Sequence, residues 1–154
     1  MLDAGDPAPD FSLSRVDDHY ATYMLSAAAK EGPVVLAFFP GDAGDARPML
    51  SKLAGIDWGS LIDSVAVFAI GTDEGAGQHL VADLSPPFPV LQDRDSYVTD
   101  LYEVAQRADG SGPQRTLVVA DQSCTIDWRW TAADPTESVP VAELESAVAA
   151  LARD

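Results

Sequence analysis

Two uninterrupted apolar runs set the frame of this chain. Residues 34–39, VVLAFF, lie between Gly32-Pro33 and Pro40-Gly41, and residues 65–70, VAVFAI, repeat the signature. Apolar runs without alternation, closed by turn formers, predict strands buried on both faces of a mostly parallel sheet. Between them, residues 49–62 predict a helix with Pro48 in its first turn and Asp45 as its cap. Residues 75–84 predict a second helix, which Ser85-Pro86-Pro87 stops. A short strand over 88–91, a helix over 95–104 and a polar Gly/Pro loop over 106–114 follow. Residues 116–120 and 126–130 predict a hairpin about the turn 121–124. In its second strand Ile126, Trp128 and Trp130 alternate with Thr125, Asp127 and Arg129, so one face is expected to be buried and the other wet. Val141, Leu144, Val148 and Leu151 make the apolar stripe of a closing helix entered through Ser138 and Pro140. The order gives an α/β domain with helical crossovers between its central strands and an antiparallel pair at its end. With no repeat and no linker, residues 1–154 read as one domain.

Composition narrows what that domain does. The net charge of −16 comes from aspartates spread along the chain, and lysine is confined to Lys30 and Lys52. Such an Asp-rich, Lys-poor, Ala-rich shell is similar to proteins of salt-loving archaea, where ionic strength screens self-repulsion. It argues against nucleic acid and anionic membranes as partners, since both require a basic surface. The opening residues MLDAGDPAPDF lack a basic segment followed by an apolar one, and no charge-free run is long enough to cross a bilayer. A cytoplasmic protein is therefore expected. One cysteine, Cys124, excludes an internal disulfide, a CxxC pair and a cysteine zinc site.

Several segments, in order, carry a resemblance. They are GDPAPDFSL at 5–13, VVLAFFP at 34–40, AIGTDE at 69–74, FPVLQD at 88–93, LYEV at 101–104 and RTLVVADQSCTI at 115–126. Together the set resembles the peroxiredoxins of the alkyl hydroperoxide reductase and thiol-specific antioxidant (AhpC/TSA) family. The resemblance implies a thioredoxin-like fold, a central mixed sheet flanked by helices. In that family the loop after the first central strand reads P-x-x-x-T-x-x-C. Its proline shields the site, its threonine hydrogen-bonds the peroxide and its cysteine attacks. Aligned from Pro40, the threonine position falls on Gly44 and the cysteine position on Arg47, while Arg115 matches the family arginine that polarises the peroxide. A second cysteine that sometimes follows on the same helix would stand at Lys52.

A guanidinium stays protonated and only donates hydrogen bonds, so Arg47 cannot act as a thiolate. Two readings follow. In the first, the chain is a non-peroxidatic binding or regulatory relative whose old pocket around Pro40, Gly44, Arg47 and Arg115 accepts a small anion or a protein partner. Against the anion stands a simpler expectation, that Arg47 pairs with Asp42 or Asp45 and closes the pocket. In the second, the chain is an antioxidant oxidoreductase, a thiol peroxidase or reductant acting through Cys124. Cys124 is expected about 20 Å from the loop, at the other end of the strand that Arg115 begins, and flanking Asp121 and Asp127 are expected to raise its pKa. The family implies an enzyme, whereas Arg47 leaves activity undecided. No cofactor and no metal is expected, and a homodimer is among the assemblies the sequence permits. His19 and His79 are expected at the surface, Asp93 and Asp95 on a solvated turn, and Trp58, Trp128 and Trp130 in core or edge packing.

Overall fold

The computed structural model describes residues 2–41, 43–106, 113–134 and 137–151, and of residues 43 and 45 the backbone. The chain runs Ser12–Arg15 (β1), Asp18–Met24 (β2), Leu25–Ala29 (α1), Val34–Phe38 (β3), Ala43–Ala54 (α2), Trp58–Leu61 (α3) and Ala66–Gly71 (β4). It continues through Glu74–Leu84 (α4), Val90–Gln92 (β5), a 3-10 turn at Arg94–Ser96, Tyr97–Leu101 (α5), Thr116–Ala120 (β6), Ile126–Thr131 (β7) and Val141–Ala150 (α6). The seven strands form one sheet in the order β2-β1-β5-β4-β3-β6-β7. The pairs β3·β4 and β4·β5 are parallel and the others antiparallel, so the sheet is mixed.

Residues of β3 alternate between two cores. Val35, Ala37 and, directly after the strand, Phe39 meet α2, α4 and α6 through Met49, Leu50, Leu53, Leu80, Leu144 and Val148. Val34, Leu36 and Phe38 meet α1 and α5 through Leu25, Ala29 and Val98, with Tyr102 behind them. Burial on both faces is why β3 reads as an unbroken apolar run. The stripe predicted for the closing helix is also found, with Leu144 and Val148 buried.

Several local expectations are corrected. The first crossover helix starts at Ala43, so Pro48 lies inside α2 and Asp45 is in the helix instead of capping it. The helical stretch also stops at Ala54 and resumes only as the four residues of α3. The helix predicted over 95–104 shrinks to Tyr97–Leu101, because Asp95 and Ser96 adopt φ of 60° and 58° before it and Glu103 adopts 53° after it. The β1–β2 hairpin lies in a stretch with no predicted element.

The alternation in β7 is broken by an irregularity opposite Val119/Ala120. It sends Ile126 into the α1/α5 core, while Trp128 and Trp130 pack on the α2/α4/α6 core. Both faces of β7 are therefore partly covered. Trp58 packs on the same core as Trp128 and Trp130, and its indole N–H donates to the Leu53 carbonyl at 3.2 Å. The predicted loop at 106–114 lies mostly outside the described residues, as does Asp42.

Candidate functional site

The parallel strands β3, β4 and β5 point their carboxyl ends the same way, and the loop carrying Pro40 leaves the end of β3. Clefts beyond that edge are where α/β sheets place ligands. Pro40 is buried and Gly44 is exposed in the first turn of α2. Arg47 follows in the next turn, with its guanidinium half-exposed.

Arg47 does find a carboxylate, on another helix. Its Nη2 lies 2.7 Å from Oδ2 of Asp83 in α4, and the same oxygen lies 3.2 Å from Nε2 of His79. Asp42 and the Asp45 side chain, the expected partners, are outside the described residues. Asp83 thus gathers two donors, one turn of helix α4 supplying His79 and the neighbouring helix supplying Arg47. The i, i+4 spacing of His79 and Asp83 was a readable signal; the link to Arg47 was not.

Arg115 precedes β6, beside the end of β3, where Thr116 pairs with Phe38. It is 5% exposed. Its Nη2 donates to the carbonyls of Asp134, at 3.1 Å, and Glu137. The guanidinium also lies over the Trp130 ring, 5.8 Å from its centroid. Arg115 therefore ties the segment after β7 to the sheet, while Arg47 ties α2 to α4. The fold brings the two arginines to one end and one face of the sheet and commits each to a different neighbour.

Cys124 sits at the opposite end. β6 runs from Thr116, beside Phe38, to Ala120, beside Val34, about 13 Å at the strand rise. The thiol is half-buried in the turn beyond, with its backbone at φ 60° and its carbonyl accepting from Ala8 N at 2.8 Å. Burial raises its pKa above the ordinary 9.0, and Asp10 and Asp121 raise it further. Asp127, the other expected neighbour, plays no part in the shift. A raised pKa leaves less thiolate at neutral pH than an unperturbed thiol carries. Iodoacetamide is therefore expected to alkylate native Cys124 more slowly than the urea-unfolded chain at pH 7, with the ratio closing as pH rises past the shifted pKa. Equal rates at pH 7 would contradict the assignment.

Asp93 departs most from expectation. It is 0% exposed, not solvated. His19 and His79 are at the surface as expected, 57% and 62% exposed at the side chain. Among the described residues no group of three or more His, Cys, Asp or Glu could hold a metal ion. No helix of the described residues is long and apolar enough to cross a membrane.

Comparison with known proteins agrees with this architecture. The peroxidoxin BcpB of Mycobacterium tuberculosis superposes with a TM-score of 0.77 at 20% identity, over 100% of both chains. The AhpC of the same organism gives 0.76 at 18% identity, covering 100% of this chain and 95% of the other. A structure described as a putative thiol:disulfide interchange protein DsbE from Chlorobium tepidum gives 0.72 at 20% identity, over 98% and 99%. At these identities the likeness establishes the thioredoxin-like peroxiredoxin fold. No curated protein matches the chain in sequence. The AhpC/TSA family model matches residues 4–129, most of the length, and the chain belongs to the AhpC/TSA family.

Proposed function

We propose that this chain is a non-peroxidatic member of its family, a protein that binds at the loop around Pro40, Gly44, Arg47 and Arg115 and does not turn over peroxide there. The observation that carries this is the separation of the single thiol from the loop. Cys124 lies beyond the far end of β6, and its pKa is raised where peroxide attack requires a lowered one. Aligned on the family, the attacking position is Arg47, engaged with Asp83. The ligand we assign to the loop is a small anion that meets the Arg47 guanidinium in competition with Asp83. The acidic, lysine-poor composition supports a protein of a high-salt cytoplasm, where that competition is screened.

The test is peroxide consumption by the purified protein with a dithiol reductant in high salt, for the parent and for Cys124→Ser. No turnover in either is expected. Turnover that disappears in Cys124→Ser would overturn the proposal in favour of a thiol peroxidase acting through Cys124. Sulfate titration tests the anion. Saturable binding is expected, weakened about tenfold by Arg47→Ala and strengthened by Asp83→Asn, which removes the competitor. No binding to the parent would remove the anion from the reading.

A further inference from the structure

β4 is longer than the strand beside it, and the difference leaves a gap in the sheet. β4 spans six residues and β5 three, and their ladder starts only at Ala69, opposite Val90. In a strand, successive residues turn their main-chain N–H and C=O groups to opposite neighbours. Ala66 N–H reaches the Pro33 carbonyl at 3.1 Å and the Ile70 carbonyl accepts Phe39 N–H at 3.1 Å, so residues 66, 68 and 70 serve β3. Ala69 N–H reaches the Pro89 carbonyl at 3.1 Å and the Gly71 carbonyl accepts Asp93 N–H at 2.8 Å, so residues 67, 69 and 71 face β5. Val67 therefore directs its N–H and C=O toward residues 87–89. Pro87 and Pro89 have no N–H to give, and among the described residues no main-chain bond continues this ladder below Ala69.

The gap is a cavity of about 350 Å³, lined by residues 65–68, the segment Pro87-Phe88-Pro89, Tyr23 of β2 and Trp58 of α3. That volume falls within the range of small-molecule sites. Val67 and the proline segment are both walls of it, so the Val67 groups that point from one wall toward the other open into the cavity. The remaining walls come from both faces of the sheet. Trp58 and Phe88 belong to the α2/α4/α6 core, and Tyr23 and Phe68, with ring centroids 5.4 Å apart, to the α1/α5 core. The polar tips of these rings are engaged elsewhere, the Trp58 N–H on the Leu53 carbonyl and the Tyr23 hydroxyl beside Arg15. No lining residue carries a charge, an exception in a chain of net charge −16.

We propose that this gap binds a neutral, flat heterocycle that carries a ring amide, an N–H beside a C=O. The ligand N–H donates to the Val67 carbonyl, and its C=O accepts the Val67 N–H, in place of the ladder bonds missing there. Hydrogen bonds made in the plane of the sheet set the ring in that plane, between apolar walls above and below it. A charged ligand would lose its hydration without meeting a counter-charge, and a hydrocarbon would leave both main-chain groups unpaired. The site lies at the amino end of β4, opposite the end that carries the Pro40 loop, and is independent of the anion reading at Arg47.

The test uses the 15N-labelled full chain, titrated separately with carbostyril, a fused aromatic ring amide, with its N-methyl derivative, which lacks the donor, and with quinaldate, an anion of similar size. Saturable shifts with carbostyril are expected at the Val67 amide and the Trp58 indole N–H, with N-methylcarbostyril and quinaldate each about tenfold weaker or more. Trp58→Leu and Tyr23→Leu, which trim one wall on each face, are each expected to weaken carbostyril about fivefold. No saturable response at Val67, equal affinity for carbostyril and its N-methyl derivative, equal affinity for quinaldate, or unchanged affinity in both wall variants would each overturn the proposal. The ligand series is read on the parent protein, so it decides the matter even where a wall variant fails to fold.

Discussion

Asp93→Ala is expected to cost about 4 kcal/mol of folding stability, a large share of what a domain of this size holds. The carboxylate is fully buried at the end of β5. Its Oδ1 accepts Val98 N at 3.0 Å, and its Oδ2 accepts both Thr99 N and Thr99 Oγ1 at 2.7 Å. The N–H groups of the first turn of α5 have no carbonyls behind them, and Ser96, in the cap position, makes no side-chain bond. Asp93 supplies that cap from five and six residues away. Hydrogen bonds to a charged group contribute about 1.5–3 kcal/mol each, and removing a shared acceptor strands three buried donors at once, with less than additive cost. Asp93→Asn is expected to lose about half as much, since one amide oxygen survives while the amide nitrogen faces a donor. Urea unfolding at fixed ionic strength measures both. A loss below about 1 kcal/mol for Asp93→Ala would mean that α5 is capped otherwise.

Asp93 also shows where sequence reasoning stops. Between two polar residues and an apolar stretch, D-R-D-S looks like a solvated turn, and nothing local says that the first carboxylate is folded under the helix it precedes. The central strands were legible because both faces of β3 and β4 are buried, and continuous apolar runs record that directly. The β1–β2 hairpin was not, because it forms the sheet's edge. Its residues are exposed or half-buried, so selection for burial left no pattern. The irregularity in β7 defeated a clean alternation for a related reason, since period-two reasoning assumes an unbroken register. At the site, the positions of Pro40, Gly44, Arg47 and Arg115 at one end of the sheet followed from family order. Their partners did not. Asp83 reaches Arg47 from another helix, and Arg115 bonds carbonyls, which any sequence would offer there.

The floor of the Pro40 loop yields the other large effect. Gly71 ends β4 directly beneath the Phe39 ring, and a Cβ on it would stand 2.2 Å from Cζ and 2.5 Å from Cε2 of that ring. Gly71 has no positive φ, so the demand for glycine here is steric and comes from the close approach alone. Phe39 is 0% exposed and packed among α2, α4 and α6, so its ring has no open space to enter. Gly71→Ala is expected to cost about 3 kcal/mol, the upper range for overpacking. The effect should not remain local, because Phe39 is covalently followed by Pro40 and a displaced ring carries the loop and the start of α2 with it. Phe39→Leu alone removes part of a buried ring and is expected to cost about 1–2 kcal/mol. In the double variant the smaller side chain makes room for the new methyl, so the combined loss is expected to fall short of the sum by about 1 kcal/mol or more. Thermal or urea unfolding of the four proteins closes the cycle. Strict additivity would mean that the ring and the glycine are not in contact, and the packing that positions the Pro40 loop would have to come from elsewhere.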